Sequence, residues 1–158
     1  MRLVENHKGT EQRSPGLAAL ANGALGHALD FDDVAEHLRG HPSVPVTPVV
    51  LTLGEAEGAS GVEVITAFVV GVEVEAKIGK AMTSAPPRRG WHLTATIGAL
   101  GATAAAANLL GLTPTQVRMA LGIAASKAAG LRQNFGTMTK PLYAGEAARS
   151  GVEVAQLA

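Results

Sequence analysis

The chain has 158 residues, 47% of them hydrophobic but only 3% aromatic, and its thirteen basic residues balance thirteen acidic ones. Zero net charge leaves no basic footprint for nucleic acid or an anionic membrane. The absence of cysteine excludes disulfides, thiolate metal sites and a cysteine nucleophile within the chain. At this length a single domain with a real core is expected, and its supply of Ala, Val, Leu and Gly suits closely approaching helices. A reducing, cytoplasmic setting is compatible with this composition.

Met1 to Arg13 is polar and charged and has no apolar stretch of the signal-peptide kind, so it reads as a tail. Ser14-Pro15 then starts a first helix, with a capping hydroxyl before a proline at the first helical position. Leu17, Leu20, Ala21, Ala24, Leu25, Ala28 and Leu29 follow at helical spacing and give it one apolar face. The helix is expected to deliver Asp30-Phe31-Asp32-Asp33 at its C-terminal end, where the helix dipole disfavours acids. Ala35 to Ser43 reads as a loop carrying His37, Gly40, His41 and Pro42.

Val46, Val49, Val50 and Leu53 mark a second helix with Pro45 and Pro48 near its first turn, broken at Gly58 to Gly61. Ser60 and Glu63 form a capping-box pattern for a third helix. Its expected core side is Ile65, Phe68, Val69, Val72 and Ala76, and its expected solvated portion is Glu73, Glu75, Lys77 and Lys80. Thr83 to Gly90, with Pro86-Pro87-Arg88-Arg89, reads as a loop. A fourth helix spans Thr94 to Leu110 and is closed by Gly111.

The stretch from Leu93 to Gln116 is uncharged and long enough to cross a bilayer. It is dominated by Ala, Gly and Thr, so a buried helix is the better reading. Thr113-Pro114-Thr115-Gln116 starts a fifth helix with another box. Gly130 to Lys140 is a loop, and a sixth helix runs from Pro141 towards Ala158 with no stop signal, as though the chain ended inside a domain. No segment alternates with a period of two and no tandem repeat is evident. The expected fold class is all-α, a bundle of about six helices over residues 14–158.

The chemistry gathers at helix ends and in loops, where binding groups are commonly placed. Only 16% of residues are charged, yet Asp30, Asp32, Asp33, His37 and His41 crowd into one short stretch. His27 stands one helical turn before Asp30, within reach of a hydrogen bond to it. Trp91, the sole tryptophan, reads as packing, and His92 precedes the long uncharged helix. Lys140 sits where the sixth helix begins and opposes its dipole, an arrangement that suits an anion site because helix amides and ammonium act together. Arg88 and Arg89 are further candidate carboxylate contacts.

Asn22-Gly23 through Asp30-Phe31-Asp32-Asp33, His41-Pro42-Ser43, Gly90-Trp91-His92 and Thr139-Lys140-Pro141-Leu142 together resemble the MmgE/PrpD family, over about residues 16 to 158. That family includes 2-methylcitrate dehydratase and cis-aconitate decarboxylase. The resemblance implies a helical domain carrying much of a tricarboxylate site, completed in longer members by an α/β lid domain that is not expected within this chain. It also implies further helices before residue 16 and further catalytic residues after the lysine motif. The family's active-site positions fall on Asp30, His41, His92 and Lys140, with Asp33, Arg88 and Tyr143 as candidate substrate-binding residues. Two positions depart from the pattern: Val34 stands where a hydroxyl residue often follows the acids, and Tyr143 where the family often has histidine.

The leading expectation is a lyase nearest to 2-methylcitrate dehydratase, of propionate metabolism. It would eliminate water by acid–base chemistry, with no cofactor, no metal and neither nucleic acid nor membrane as partner, as a homo-oligomer, a dimer. Its nearest rival is cis-aconitate decarboxylation or epimerisation of a related polycarboxylate. A metal-dependent helical enzyme using Asp30, Asp32, Asp33 and the nearby histidines as ligands is a second class, disfavoured because no second acidic cluster faces the first. An inert helical remnant with an assembly role is the third.

Overall fold

A computed structural model describes residues 14–82 and 90–158. The polar tail and the loop holding Arg88 and Arg89 lie outside the described residues. The described residues form seven α-helices in order: α1 (Pro15–Gly26), α2 (Ser43–Glu57), α3 (Gly61–Met82), the one-turn α4 (Leu93–Thr96), α5 (Gly98–Leu109), α6 (Pro114–Lys127) and α7 (Thr139–Leu157). A 3-10 turn at Arg132–Asn134 precedes α7. Among the described residues there is no strand, only isolated bridges at Ala35–Gly40 and Trp91–Leu131. The all-α expectation holds, and no helix of the described residues is long and apolar enough to cross a membrane.

Local signals explain most boundaries. Pro15 opens α1, but the expected cap from the Ser14 hydroxyl does not form; the Ser14 carbonyl instead accepts the first amide bonds, from Leu17 and Ala18. Both boxes form: Ser60 with Glu63 before α3, and Thr113 with Gln116 before α6. Gly111, at φ 62°, ends α5 in the left-handed turn that only glycine adopts without strain. The Gly111 and Leu112 amides close that end onto Asn108 and Ala107.

Four expectations need correction. First, α1 stops at Gly26, three residues short of Leu29, whose side chain is 75% exposed and so has no core to continue into. The fourth predicted helix is split at Ile97 into α4 and α5. α7 begins at Thr139 rather than Pro141, which puts Lys140 in its first turn. The face of α3 is also partly rotated: Phe68 and Val72 pack half-buried against the core as expected, but the fully buried stripe lies beside them. Ile65 and Val69 are mostly exposed, and the buried residues are Ala67, Gly71, Glu75 and Gly79. Gly71 lets α3 approach the Gly101 carbonyl and Ala105 of α5, and Gly79 lets it approach the His37–Leu38 backbone, closer than branched residues would.

The core joins Ala19 of α1, Val46, Val49, Val50 and Leu53 of α2, Ala67 of α3, Ala102, Ala105 and Ala106 of α5, and Ala148, Val152 and Ala155 of α7. With so few large side chains, cohesion comes from backbones packed close together. A Cβ on Gly145 of α7 would lie 2.3 Å from the Leu20 carbonyl oxygen of α1, and one on Gly151 would lie 2.6 Å from the Ala102 carbonyl carbon of α5. Backbone cannot swing aside as a side-chain tip can. Gly145→Ala should therefore destabilise the chain by at least about 1–3 kcal/mol, read as a fall in urea midpoint; an unchanged midpoint would contradict the close crossing.

Glu75, expected in solvent, is fully buried, with no hydrogen-bond partner for either carboxylate oxygen. Gly101 makes room for it, since a Cβ there would fall 2.3 Å from Glu75 Cγ. Burial pushes the Glu75 carboxyl well above its usual 4.5, and the charge of Asp33 adds to this, so the neutral acid is the form that folds. A raised folded pKa gives stability that is complete below the unfolded value and is lost as pH rises through the folded one. Wild-type stability should thus decline as pH rises above the unfolded value of 4.5, and Glu75→Gln should flatten that decline, measured as urea midpoints across the range. Identical pH profiles for the two proteins would refute it.

Candidate functional site

The connection from α1 to α2 folds back over the start of α7. After Gly26 the chain makes short turns, with the Ala28 amide donating to Leu25 and the Asp30 amide to His27. Asp30 then takes a left-handed conformation, φ 58°, a region that aspartate tolerates better than most residues. The acids therefore sit beyond the helix rather than on its last turn, and the dipole argument for their placement gives way to a turn. Gly40 passes against α4 so closely that a Cβ would lie 2.8 Å from Thr94 Oγ1. The buried Thr94 hydroxyl accepts a hydrogen bond from the His41 amide at 3.1 Å, fixing the loop where His41 leaves it.

Lys140 reaches across from α7, and its Nζ donates to Asp30 Oδ1 at 2.5 Å. Asp30 Oδ1 is also 3.5 Å from His41 Nε2. On the other edge of that ring, His41 Nδ1 lies 3.2 Å from Asp32 Oδ2. Asp32 in turn accepts from His27 Nδ1 at 2.8 Å. His27 was expected to bond Asp30, but that pair is 3.8 Å apart and the hydrogen bond goes to Asp32. The His92 ring stacks at 6.0 Å from His27. Phe135 meets His92 edge-on at 4.9 Å and has Lys140 Nζ 5.4 Å from its ring centre, a cation–π distance.

The four expected catalytic positions, Asp30, His41, His92 and Lys140, thus share one locality although they come from distant parts of the chain. Tyr143, one turn along α7 from Lys140, stands 6.2 Å from His92, and its hydroxyl accepts a short hydrogen bond from the Asn134 amide group. Asp33 faces elsewhere: its Oδ1 accepts from the Ser43 amide at 3.2 Å, capping the start of α2. Arg88 lies outside the described residues. His37 is exposed, as expected of a loop histidine, while Trp91 is 46% exposed rather than packed in the core. The family's active-site positions did not include Asp32, which is central here between His27 and His41, and Phe135 was not singled out. One of only three phenylalanines standing in a polar loop was the available signal.

Charge states follow from these contacts. The Lys140 hydrogen bond holds the Asp30 carboxyl below its ordinary 3.8, so Asp30 is an ionised acceptor and not an acid reservoir. Burial lowers His27, partly offset by its bond to Asp32. Burial likewise lowers His92 to about 4, helped by the neighbouring His27 and Lys140. His92 is therefore a neutral imidazole at physiological pH. One oxygen or nitrogen from each of His27, Asp30, Asp32 and His41 lies within 4.8 Å of the others, a spacing that admits a cation, and the Lys140 ammonium already brings a positive charge to Asp30.

The sequence matches the MmgE/PrpD N-terminal domain over residues 6–158. The chain belongs to the MmgE/PrpD family. A cis-aconitate decarboxylase of Homo sapiens is 42% identical over 151 residues, covering 91% of this chain and 31% of that protein. One of Aspergillus terreus is 36% identical over 149 residues, 90% of this chain and 30% of that protein. A cis-aconitate decarboxylase-like protein, oryM, of Aspergillus oryzae is 33% identical over 153 residues. The chain spans about three tenths of the length of these curated relatives. The family is of the lyase type, as the four motifs imply.

A lowered histidine pKa carries a stability consequence. His92 folded near 4 against an unfolded 6.5 contributes roughly 3 kcal/mol, present above the unfolded value and lost as pH falls towards the folded one. The His92 ring protons should titrate with a midpoint near 4 by NMR. A midpoint at the unperturbed value would mean that water reaches the ring.

Proposed function

We propose that this chain supplies the helical part of a lyase site for a small tricarboxylate, and that the reaction is decarboxylation of cis-aconitate. What carries the reading is the convergence of Asp30, His41 and Lys140 in a chain 42% identical to a cis-aconitate decarboxylase over nearly its whole length. The same relatives move the preference away from 2-methylcitrate dehydration, which would use the same groups.

The chemistry asks for little beyond a cation and a proton. When the carboxylate on the CH2 arm of cis-aconitate leaves as CO2, its bonding pair forms a new C=C bond. The old alkene pair shifts to the carbon beside the far carboxylate, and that carbon takes one proton. Negative charge builds on the far carboxylate and its neighbouring carbon, where a fixed ammonium lowers the barrier most. Lys140 has that role: Asp30 engages one of its three donors and aims the others. His41 is the proton donor, with Nε2 on the Asp30 side. His92, neutral and buried, offers an N–H to a substrate carboxylate without adding charge.

The test uses the complete protein that contains this chain, given cis-aconitate and 2-methylcitrate separately. The expected result is CO2 release matching the loss of cis-aconitate, with Lys140→Met and Asp30→Asn each slowing turnover by about a hundredfold or more. Turnover of 2-methylcitrate alone would replace decarboxylation with dehydration, and turnover of neither would sink the tricarboxylate reading.

A further inference from the structure

Behind the groups that face the open side of the site lies a second histidine–carboxylate pair. His27 is wholly buried, Asp32 is 11% exposed and His41 15%, while Asp30 at the mouth is 56% exposed. Along the line of contacts the order is imidazole, carboxylate, imidazole, carboxylate, ammonium, with the Lys140 side chain itself 14% exposed. Asp32 Oδ2 is the shared atom, 2.8 Å from His27 Nδ1 and 3.2 Å from His41 Nδ1. A decorative core histidine would need neither that carboxylate nor that position.

We infer that His27 is a positioning residue which, through Asp32, sets the orientation and tautomer of His41. The inference rests on the lyase reading of the cluster. A carboxylate accepts hydrogen bonds and cannot donate them, so both Nδ1 atoms turned to Oδ2 carry protons. For His27 this leaves Nε2 as a bare acceptor, and Nε2 is buried with no partner. A bare acceptor costs less than a bare donor, so the Nδ1–H tautomer is the one this environment stabilises. Because two bonds to His27 anchor Asp32, at 2.8 and 3.0 Å, the carboxylate cannot rotate freely.

The His41 ring meets that fixed carboxylate within ion-pair distance but off the hydrogen-bond direction. A small ring rotation aligns it, the adjustment expected when substrate fills such a site. Neutral His41 bonded this way presents Nε2 as the proton acceptor on the Asp30 side, and charged His41 presents it as the donor. The T-shaped His27–His41 contact at 4.7 Å limits the alternative ring poses. This is the arrangement by which a buried carboxylate orients a working imidazole in acyl-transfer triads, extended here by one further histidine.

The experiment compares His27→Leu, which fills the volume without a donor, with His27→Asn, whose amide N–H stands where Nδ1–H stood. In the complete protein, His27→Leu should lower kcat on cis-aconitate roughly tenfold to a hundredfold, the range for losing an outer partner of a functional histidine. KM should stay within about twofold, the pH–rate limb should move, and His27→Asn should recover most of the rate. In parallel, 15N-histidine NMR should show the His41 tautomer ratio altered in the Leu variant and restored in the Asn variant. If His27→Leu folds with kcat, pH profile and His41 signals unchanged, the positioning role is overturned. If wild type turns over neither tricarboxylate, the lyase reading fails and the NMR arm alone decides whether His27 governs His41. Should His27→Leu not fold, Asp32→Asn, which keeps the shape and breaks the shared acceptor, takes its place with the same expected and overturning outcomes.

Discussion

The constraint on which the molecule depends is the backbone crossing of α7 and α1. Gly145 meets the Leu20 carbonyl, and Gly23 meets Gly145 in return, so two helices touch without side chains between them. Everything at the site is measured from that point. Lys140 lies five residues before Gly145, about 7.5 Å along α7 at 1.5 Å per residue, and His27 lies four residues beyond Gly23, capping the C-terminal end of α1. The ammonium and the acidic turn are thereby brought face to face across a crossing that cannot slide without a backbone clash. A chain with 3% aromatics has few large side chains for dispersion energy, and it compensates by shortening distances between helices.

The same tight packing produces the electrostatics. Small residues leave little room for water, so imidazoles at the junction are desolvated, and His27 and His92 fall below their ordinary pKa. Asp30, at the open edge, remains hydrated and is lowered by Lys140 instead. One cluster therefore holds neutral rings inside and full charges outside. Glu75 shows the other face of this economy: a carboxyl held neutral where glycines of α5 make space for it.

Much of the architecture was legible because its signals are local. Pro15, the Ser60–Glu63 and Thr113–Gln116 boxes and Gly111 act through hydrogen bonds and φ angles spanning a few residues, and each marks its boundary as expected. The apolar periodicity of α3 misled, since Ile65 and Val69 look like core and the buried stripe is Ala67, Gly71, Glu75 and Gly79. Hydrophobicity names residues that tolerate burial, whereas the face chosen here is the one where Ala67, Gly71 and Gly79 permit close approach and Gly101 of α5 leaves room for Glu75. Leu29 fits the helical period too, yet the helix had ended at Gly26 for want of a neighbour to bury it.

The sequence by itself determined the helical class, the two capping boxes and the membership of Asp30, His41, His92 and Lys140 in one family pattern, because each of these depends on residue type and spacing. Only the tertiary structure decided which groups touch. It gave His27 to Asp32 rather than Asp30, turned Asp33 to the Ser43 amide, set Phe135 beside Lys140 and His92, and buried Glu75. Those choices hang on side-chain directions after a left-handed turn at Asp30 and on a glycine-mediated crossing more than a hundred residues away in sequence. A displacement of one helical turn would remake every contact without altering a single local signal, and so no local signal encodes them.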